Sequence, residues 1–156
     1  VEQNDDVLFK PLFSYEMVGI CSKDHPLANK EVWQAEDFAE ETWVTYPVPD
    51  DMLDLYRQVL KPKGINPPRR TTELTIALIQ LVASRRGIAT VPYWAALPYL
   101  EKGYVVARKI TEEGLYSNLY AAIRKEDANL AYIEDFHQTV KAQSFSTLPG
   151  LSVLAL

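Results

Sequence analysis

Two histidines and one cysteine are all the chain holds of those residue types, and they stand far apart. His25 precedes Pro26 in a turn, Cys21 closes the apolar run MVGIC, and His137 falls in a C-terminal amphipathic stretch. No two of them have the spacing of a metal site. None belongs to a GxSxG, a glycine-rich phosphate loop or an HExxH motif. The paired carboxylates Asp50–Asp51 follow a proline and suit the start of a helix, where a side-chain oxygen accepts a bond from a free N–H. Glu112–Glu113 precede Gly114 and read as a solvated turn. With no nucleophile–base pair, the expectation is that the chain is not an enzyme, uses no catalytic residue, and holds no metal and no cofactor. Cys21 reads as a small buried hydrophobe.

Ligand binding has more to work with. Three short segments follow strands that read as parallel: Tyr46–Pro47–Val48, Thr72–Glu73–Leu74–Thr75, and Pro92. Ligands of open α/β sheets bind where such strands end. A helix begins near Thr75, and its free N–H groups suit a carboxylate. The hydroxyls of Thr72 and Thr75 can assist, and Glu73 can face an ammonium group. The expected ligand-binding residues are therefore Tyr46, Pro47, Val48, Thr72, Glu73, Leu74, Thr75 and Pro92, and they describe a site for a small amino acid. The structural alternative makes Thr72 or Thr75 only an N-cap and Glu73 only a favourable first-turn charge.

The stretch that positions these residues is Glu73–Pro92, ELTIALIQLVASRRGIATVP. Ile76, Ile79, Val82 and Ala83 recur on one side of a helix. Arg85 and Arg86 fall in its last turn, and Gly87 is the expected left-handed residue after it. Ile88–Val91 is apolar without alternation, as a strand covered on both faces is. Upstream, Val7–Phe13 reads as a strand or extended linker and Tyr15–Ser22 as a firm strand, ended by Asp24–His25–Pro26. A short helical piece is expected around Glu36–Glu41, and a strand over Thr42–Tyr46. A helix capped by Asp50 or Asp51 follows over Met52–Lys61, with Leu53, Tyr56, Val59 and Leu60 inward. Arg70–Leu74 reads as a strand. Downstream come a short helix Trp94–Lys102 interrupted by Pro98, strands at Tyr104–Ala107 and Leu119–Arg124, and a helix Asn129–Gln143 with Ile133, Phe136 and Val140 inward. Residues 1–6 are expected to fray and the tail from Ser144 to be loop. The alternation is that of an α/β fold with helices on both faces of a mostly parallel sheet.

The chain has 156 residues, 47% of them hydrophobic, enough for one ordinary domain or one lobe and part of another. A net charge of −5 argues against holding a nucleic-acid backbone, and the pairs Arg69–Arg70 and Arg85–Arg86 read as solvated. No apolar run approaches the roughly 18 residues of a membrane span, and no signal peptide is apparent. The lone cysteine fits a reducing compartment. A first residue of Val1 points to a piece of a longer protein.

The lines YEMVGICSKDHPLANK, AEDFAEETWVTYP, LIQLVASRRGIATVP and LYAAIRK, in this order and spacing, resemble the effector-binding domain of LysR-type transcription regulators. The DHPLA of Asp24–Ala28 and the block Leu78–Pro92 carry most of the likeness, which runs from about Val7 to Gln143. The resemblance implies a two-lobed regulatory domain of the periplasmic-binding-protein (type 2) kind. Its second lobe would be complete over residues 15–124, with a mixed, mostly parallel sheet. Residues 1–14 would end the first lobe and cross over, and residues 125–156 would return to it, so that the first lobe is only partly present. It implies a cytoplasmic transcription regulator with a small-molecule effector, assembled as a homo-oligomer (dimer or tetramer), without a membrane. DNA would be bound only through an N-terminal domain outside this chain. Within the family, TWVTYPVPDDMLDLYRQVLKPKGINP and EGLYSNLYAAIR are similar to the branch that responds to homocysteine and governs methionine biosynthesis. Other readings of the same architecture are a lobe of a solute-binding protein for a transporter, a small α/β enzyme, and a purely dimerising module. On the LysR-type reading the chain alone is expected to leave promoter DNA unshifted in a gel at physiological salt; a clear shift would contradict it.

Overall fold

The computed structural model describes residues 5–154. The expected fraying of residues 1–6 falls mostly outside that range; Asp5 and Asp6 form a turn. The chain divides into two compact units: a larger one, Glu16–Tyr116, and a smaller one from the described residues before it and those from Ser117 onward.

The strands are β1 (Val7–Cys21), β2 (Val32–Trp33), β3 (Trp43–Thr45), β4 (Arg69–Thr71), β5 (Ile88–Pro92), β6 (Val106–Ile110), β7 (Leu115–Arg124) and β8 (Leu151–Ser152). The helices are α1 (Thr75–Ala83), α2 (Tyr93–Glu101) and α3 (Ala131–Thr147). In the larger unit the strand order is β2-β6-β1-β5-β3-β4. β3 lies parallel to β4 and β5, and β2 parallel to β6, while β1 runs antiparallel to both of its neighbours β5 and β6. The sheet is thus mixed, with a parallel side at β5-β3-β4 and an antiparallel β1 at its centre.

Two cores flank it. Val18, Ile20, Val44, Ala89 and Val91 project to one face, where Leu78, Ile79 and Val82 of α1 and Ala96 of α2 cover them. Cys21, Trp43, Ile88 and Ile110 project to the other, against Trp33, Phe38, Leu55 and Leu60. Successive residues of a strand alternate faces, so a strand with both faces covered is largely apolar, and β5 is so apart from the half-buried Thr90. In the smaller unit, β7 and β8 pair with β1, Phe13 packs edge-on to Phe145 of α3, and Lys10 forms an ion pair with Glu134.

Several local expectations are corrected. The two extended stretches at Val7–Phe13 and Tyr15–Ser22 are one strand. The buried face of α1 is Leu78, Ile79 and Val82, while Ile76, in the first turn, is 57% exposed. Arg85, not Gly87, takes the left-handed position after α1 (φ 60°). Arg85 N–H donates to the Val82 carbonyl at 3.0 Å and Arg86 N–H to the Leu81 carbonyl at 2.9 Å, the paired closure of a Schellman turn. Asp50 and Asp51 begin a 3₁₀ turn, Asp50–Met52, and pair with Arg69 and Lys61 instead of capping a long helix. The segment after them is wound wide, in π fashion, over Tyr56–Leu60. Pro98 sits exposed inside α2 without breaking it. α3 turns His137 inward and leaves Phe136 67% exposed, and it continues through Ser144 to Thr147 where a loop was expected.

Gly87 fixes how β5 meets β3. Its φ is 152°, and a Cβ there would overlap the Thr42 carbonyl oxygen and lie 2.8 Å from Val44 Cγ2. Ile88 N–H donates to that same carbonyl at 2.9 Å. Gly64 has φ 66° and open space around it. Gly64→Ala is therefore expected to cost about 1 kcal/mol, the strain of the left-handed conformation. Gly87→Ala is expected to cost about 3 kcal/mol or more, because overlap with packed backbone adds to strain. Urea denaturation midpoints of the two variants measure the difference; equal shifts would disprove the close-approach role.

Candidate functional site

Tyr46 follows β3, Thr72 follows β4 and Pro92 ends β5. Because β3 is parallel to both neighbours, with Thr45 opposite Thr71 and Val44 opposite Ala89, all three leave the sheet at one edge. Thr72 N–H donates to the Thr45 carbonyl at 3.0 Å, continuing the ladder one residue past β4. Val48 N–H donates to the Tyr46 carbonyl at 2.9 Å, which closes a tight turn around Pro47.

The N-terminus of α1 lies at the same edge. Its N-cap position is Leu74, which offers no side-chain oxygen, so no side chain caps the helix. Leu78 N–H is bonded to the Leu74 carbonyl at 3.0 Å, so the N–H groups of Thr75, Ile76 and Ala77 precede the first helical bond. Thr75 is the first helical residue, and its hydroxyl bonds the Tyr46 phenol at 2.7 Å. This excludes the reading of Thr75 as a mere N-cap. Glu73 lies just before the helix, exposed, and among the described residues it makes no ion pair. Pro47 and Val48 are exposed, Leu74 is 63% exposed, and Thr72 and Pro92 are half-buried. The arrangement offers open backbone donors and two joined hydroxyls beside an unpaired carboxylate.

The other chemically capable residues serve the fold. His25 is buried. Its Nδ1 accepts the Leu27 N–H at 3.1 Å and its Nε2 lies 3.1 Å from Glu41 Oε2. An Nδ1 that accepts has no proton, so the proton is on Nε2 and is donated to Glu41. The DHPLA motif is thus a capped 3₁₀ turn, Pro26–Asn29, with its histidine as the cap. Arg69 is not simply solvated: its guanidinium lies 5.1 Å from the ring centroids of both Trp43 and Tyr56 while it pairs with Asp50. His137, in the smaller unit, donates from Nε2 to the Pro11 carbonyl at 3.2 Å, and its Nδ1 has no partner. Among the described residues no three His, Cys, Asp or Glu side chains are grouped as metal ligands. Nor is any helix there long and apolar enough to cross a membrane. Glu16, Tyr93, Lys109 and Tyr116, to which the sequence reading gave no role, line a groove of about 350 Å³ in the larger unit.

Comparison with known proteins agrees with the fold. The model of the LysR substrate binding domain family matches residues 1–144. The HTH-type transcriptional regulator MetR of Haemophilus influenzae is 83% identical over 156 residues, which is all of this chain and 50% of that protein. MetR of Escherichia coli K12 is 38% identical over 141 residues, 90% of this chain and 44% of that one. The chain thus spans about half the length of the curated relatives it matches. Among solved structures, the regulatory domain of the LysR family regulator MetR from N. meningitidis matches with a TM-score of 0.91 and 62% identity, over 99% of this chain and 72% of that one. The effector binding domain of QuiR in complex with shikimate matches with a TM-score of 0.75 at 22% identity, over 92% of this chain and 69% of that one, and shares the fold.

Cys21 gives a test of the packing of the tryptophan-side core. The thiol is free and buried. Burial pushes it up from 9.0 to about 11, against the opposing pull of the Arg108 charge. Between those values the unfolded chain releases the thiol proton while the folded chain keeps it, so stability falls as pH rises from about 9 to about 11. Urea midpoints at pH 7, 9 and 10 are expected to fall less steeply for Cys21→Ala than for the parent. Parallel slopes would refute the buried neutral thiol.

Proposed function

The chain belongs to the LysR substrate-binding domain family, and on that footing we propose that it is the effector-sensing part of a transcription regulator that controls methionine-biosynthesis genes in response to homocysteine. The likeness to MetR along the whole chain carries the reading. The edge of the larger unit supports it chemically. The ligand carboxylate meets the open N–H groups of Thr75, Ile76 and Ala77, assisted by the Thr72 and Thr75 hydroxyls and the Tyr46 phenol. Glu73 faces the ammonium, and the thiol arm lies against Pro47, Val48, Leu74 and Pro92. The larger unit is the second lobe; the smaller unit is part of the first, and the N. meningitidis domain extends beyond the part this chain matches. In the whole regulator, a cytoplasmic homo-oligomer, a separate N-terminal domain binds DNA. Effector binding shifts the equilibrium between arrangements by its differential affinity for them.

Calorimetry with L-homocysteine, L-methionine and L-homoserine tests this on a chain extended upstream to the length of its relatives' regulatory domain. Homocysteine is expected to bind. Glu73→Ala and Thr75→Ala are each expected to weaken it about tenfold, the effect of losing one charge-assisted or buried hydrogen bond. Silence with all three amino acids would remove the ligand while leaving the family membership in place. Unchanged affinity in Glu73→Ala would remove Glu73 as the ammonium partner.

A further inference from the structure

The groove of about 350 Å³ lies on the sheet face that α2 covers, and its residues all belong to the larger unit. Its floor comes from β1 and β6. Gly19 stands opposite Arg108, so the antiparallel register places Val18 opposite Lys109. Glu16 is two residues from Val18 on the same face, and hence the diagonal neighbour of Lys109. Val18 and Ala107 are short and leave the floor low between those two charges. Tyr93, first residue of α2, and Tyr116 of β7 line it as well. Tyr116 is held from two directions. Its ring lies over Gly114, where a Cβ would come within 2.8 Å of Cε2, and its carbonyl accepts from Gln58 Nε2 at 3.2 Å.

The charges are the informative part. Glu16 is half-buried and has no ion-pair or hydrogen-bond partner among the described residues. Lys109 spends one of its three donors on the Glu112 carbonyl at 2.6 Å and meets no carboxylate. The two do not pair with each other, although cross-strand diagonal neighbours of opposite sign are within reach of doing so. Arg108, the remaining cation of the groove, is committed to the Ala28 and Ala107 carbonyls. An anion alone would be repelled by Glu16, and a cation alone by Lys109. A molecule carrying both charges a few bonds apart satisfies both.

We propose that this groove is a second site for a short free α-amino acid, separate from the Thr75 edge. Its ammonium is held by Glu16, its carboxylate by Lys109, and its side chain by the Tyr93 and Tyr116 rings. The volume is near the lower end of ligand pockets, roughly 300 Å³ upward, which suits one small amino acid.

The test follows backbone N–H resonances of the chain during titration with L-methionine, L-homocysteine and 4-mercaptobutanoate, the last being homocysteine without its ammonium. Val18, Tyr93, Ala107 and Tyr116 are expected to shift with both amino acids, and to do so equally in Thr75→Ala. Glu16→Gln is expected to weaken these shifts about tenfold or more for the amino acids while strengthening the weak response to 4-mercaptobutanoate, which Glu16 repels. Lys109→Met is expected to weaken all three. Unaltered denaturation midpoints in both variants confirm that the fold is intact. The groove is no amino-acid site if its resonances ignore both amino acids, or if they respond alike in parent and Glu16→Gln. Shifts at Thr75 that vanish in Thr75→Ala while the groove still responds bear only on the edge site, so the two readings fail separately.

Discussion

At Gly87 the backbone of one strand comes so close to another that no side chain fits, and the register of the central strands depends on it. The Thr42 carbonyl occupies the space a side chain would need there and accepts from Ile88 N–H at 2.9 Å. With that contact made, Trp43 stands opposite Ile88 and Val44 opposite Ala89. A slip of one residue would send Ile88 to the α1 face and Ala89 to the tryptophan face, exchanging a large and a small residue between two filled cores. The same register decides where β3, β4 and β5 end, and so where Tyr46, Thr72 and Pro92 emerge. Positioning of the edge is therefore a consequence of how the two cores pack, not of the edge residues themselves.

The polar residues that looked available for chemistry are largely consumed in holding the loops on the tryptophan face. That face is covered by 3₁₀ and π turns, which bury little area each and leave backbone groups to satisfy. His25 caps one turn and donates to Glu41, Arg69 is packed between Trp43 and Tyr56, and Lys61 and Lys63 reach Asp51 and Glu36. The exposed pairs among these contribute little individually. Arg69 differs, since its guanidinium covers two aromatic faces while keeping a carboxylate partner. The α1 face needs no such fastening, because Leu78, Ile79 and Val82 cover it with apolar surface.

What could be read from the sequence divides along the same line. β5 was legible because two-sided burial leaves an apolar run interrupted only by Thr90, and the strand ends were legible because Pro47 and Pro92 mark them. The inward residues of α1 and α3 were less so. Periodicity gives the angle between apolar positions but not which of two adjacent stripes faces the sheet. Ile76 thus projects to solvent from the first turn, and His137 displaces Phe136 as the buried residue of α3. Arg85 in a left-handed conformation was hidden by the glycine two residues later, which was wanted for a different reason. Glu16 and Lys109 carried no signal at all. They lie 93 positions apart, and only the pairing of β1 with β6 makes them neighbours.

The start of α1 shows how local preference yields to position. Thr72 and Thr75 both flank Leu74, and either would be a better N-cap than leucine; a cap of that kind is worth about 1 kcal/mol. The chain instead places Leu74 at the cap with its side chain largely in solvent and directs the Thr75 hydroxyl to the Tyr46 phenol. A threonine at the cap would fold its oxygen back onto the second or third N–H of the helix and close that donor to anything outside. Leucine cannot do so. The first-turn donors of α1 therefore stay turned outward, at the one edge of the sheet where β3, β4 and β5 all end. Foregoing the cap weakens the helix slightly, and an anionic group placed at those donors would restore that stabilisation.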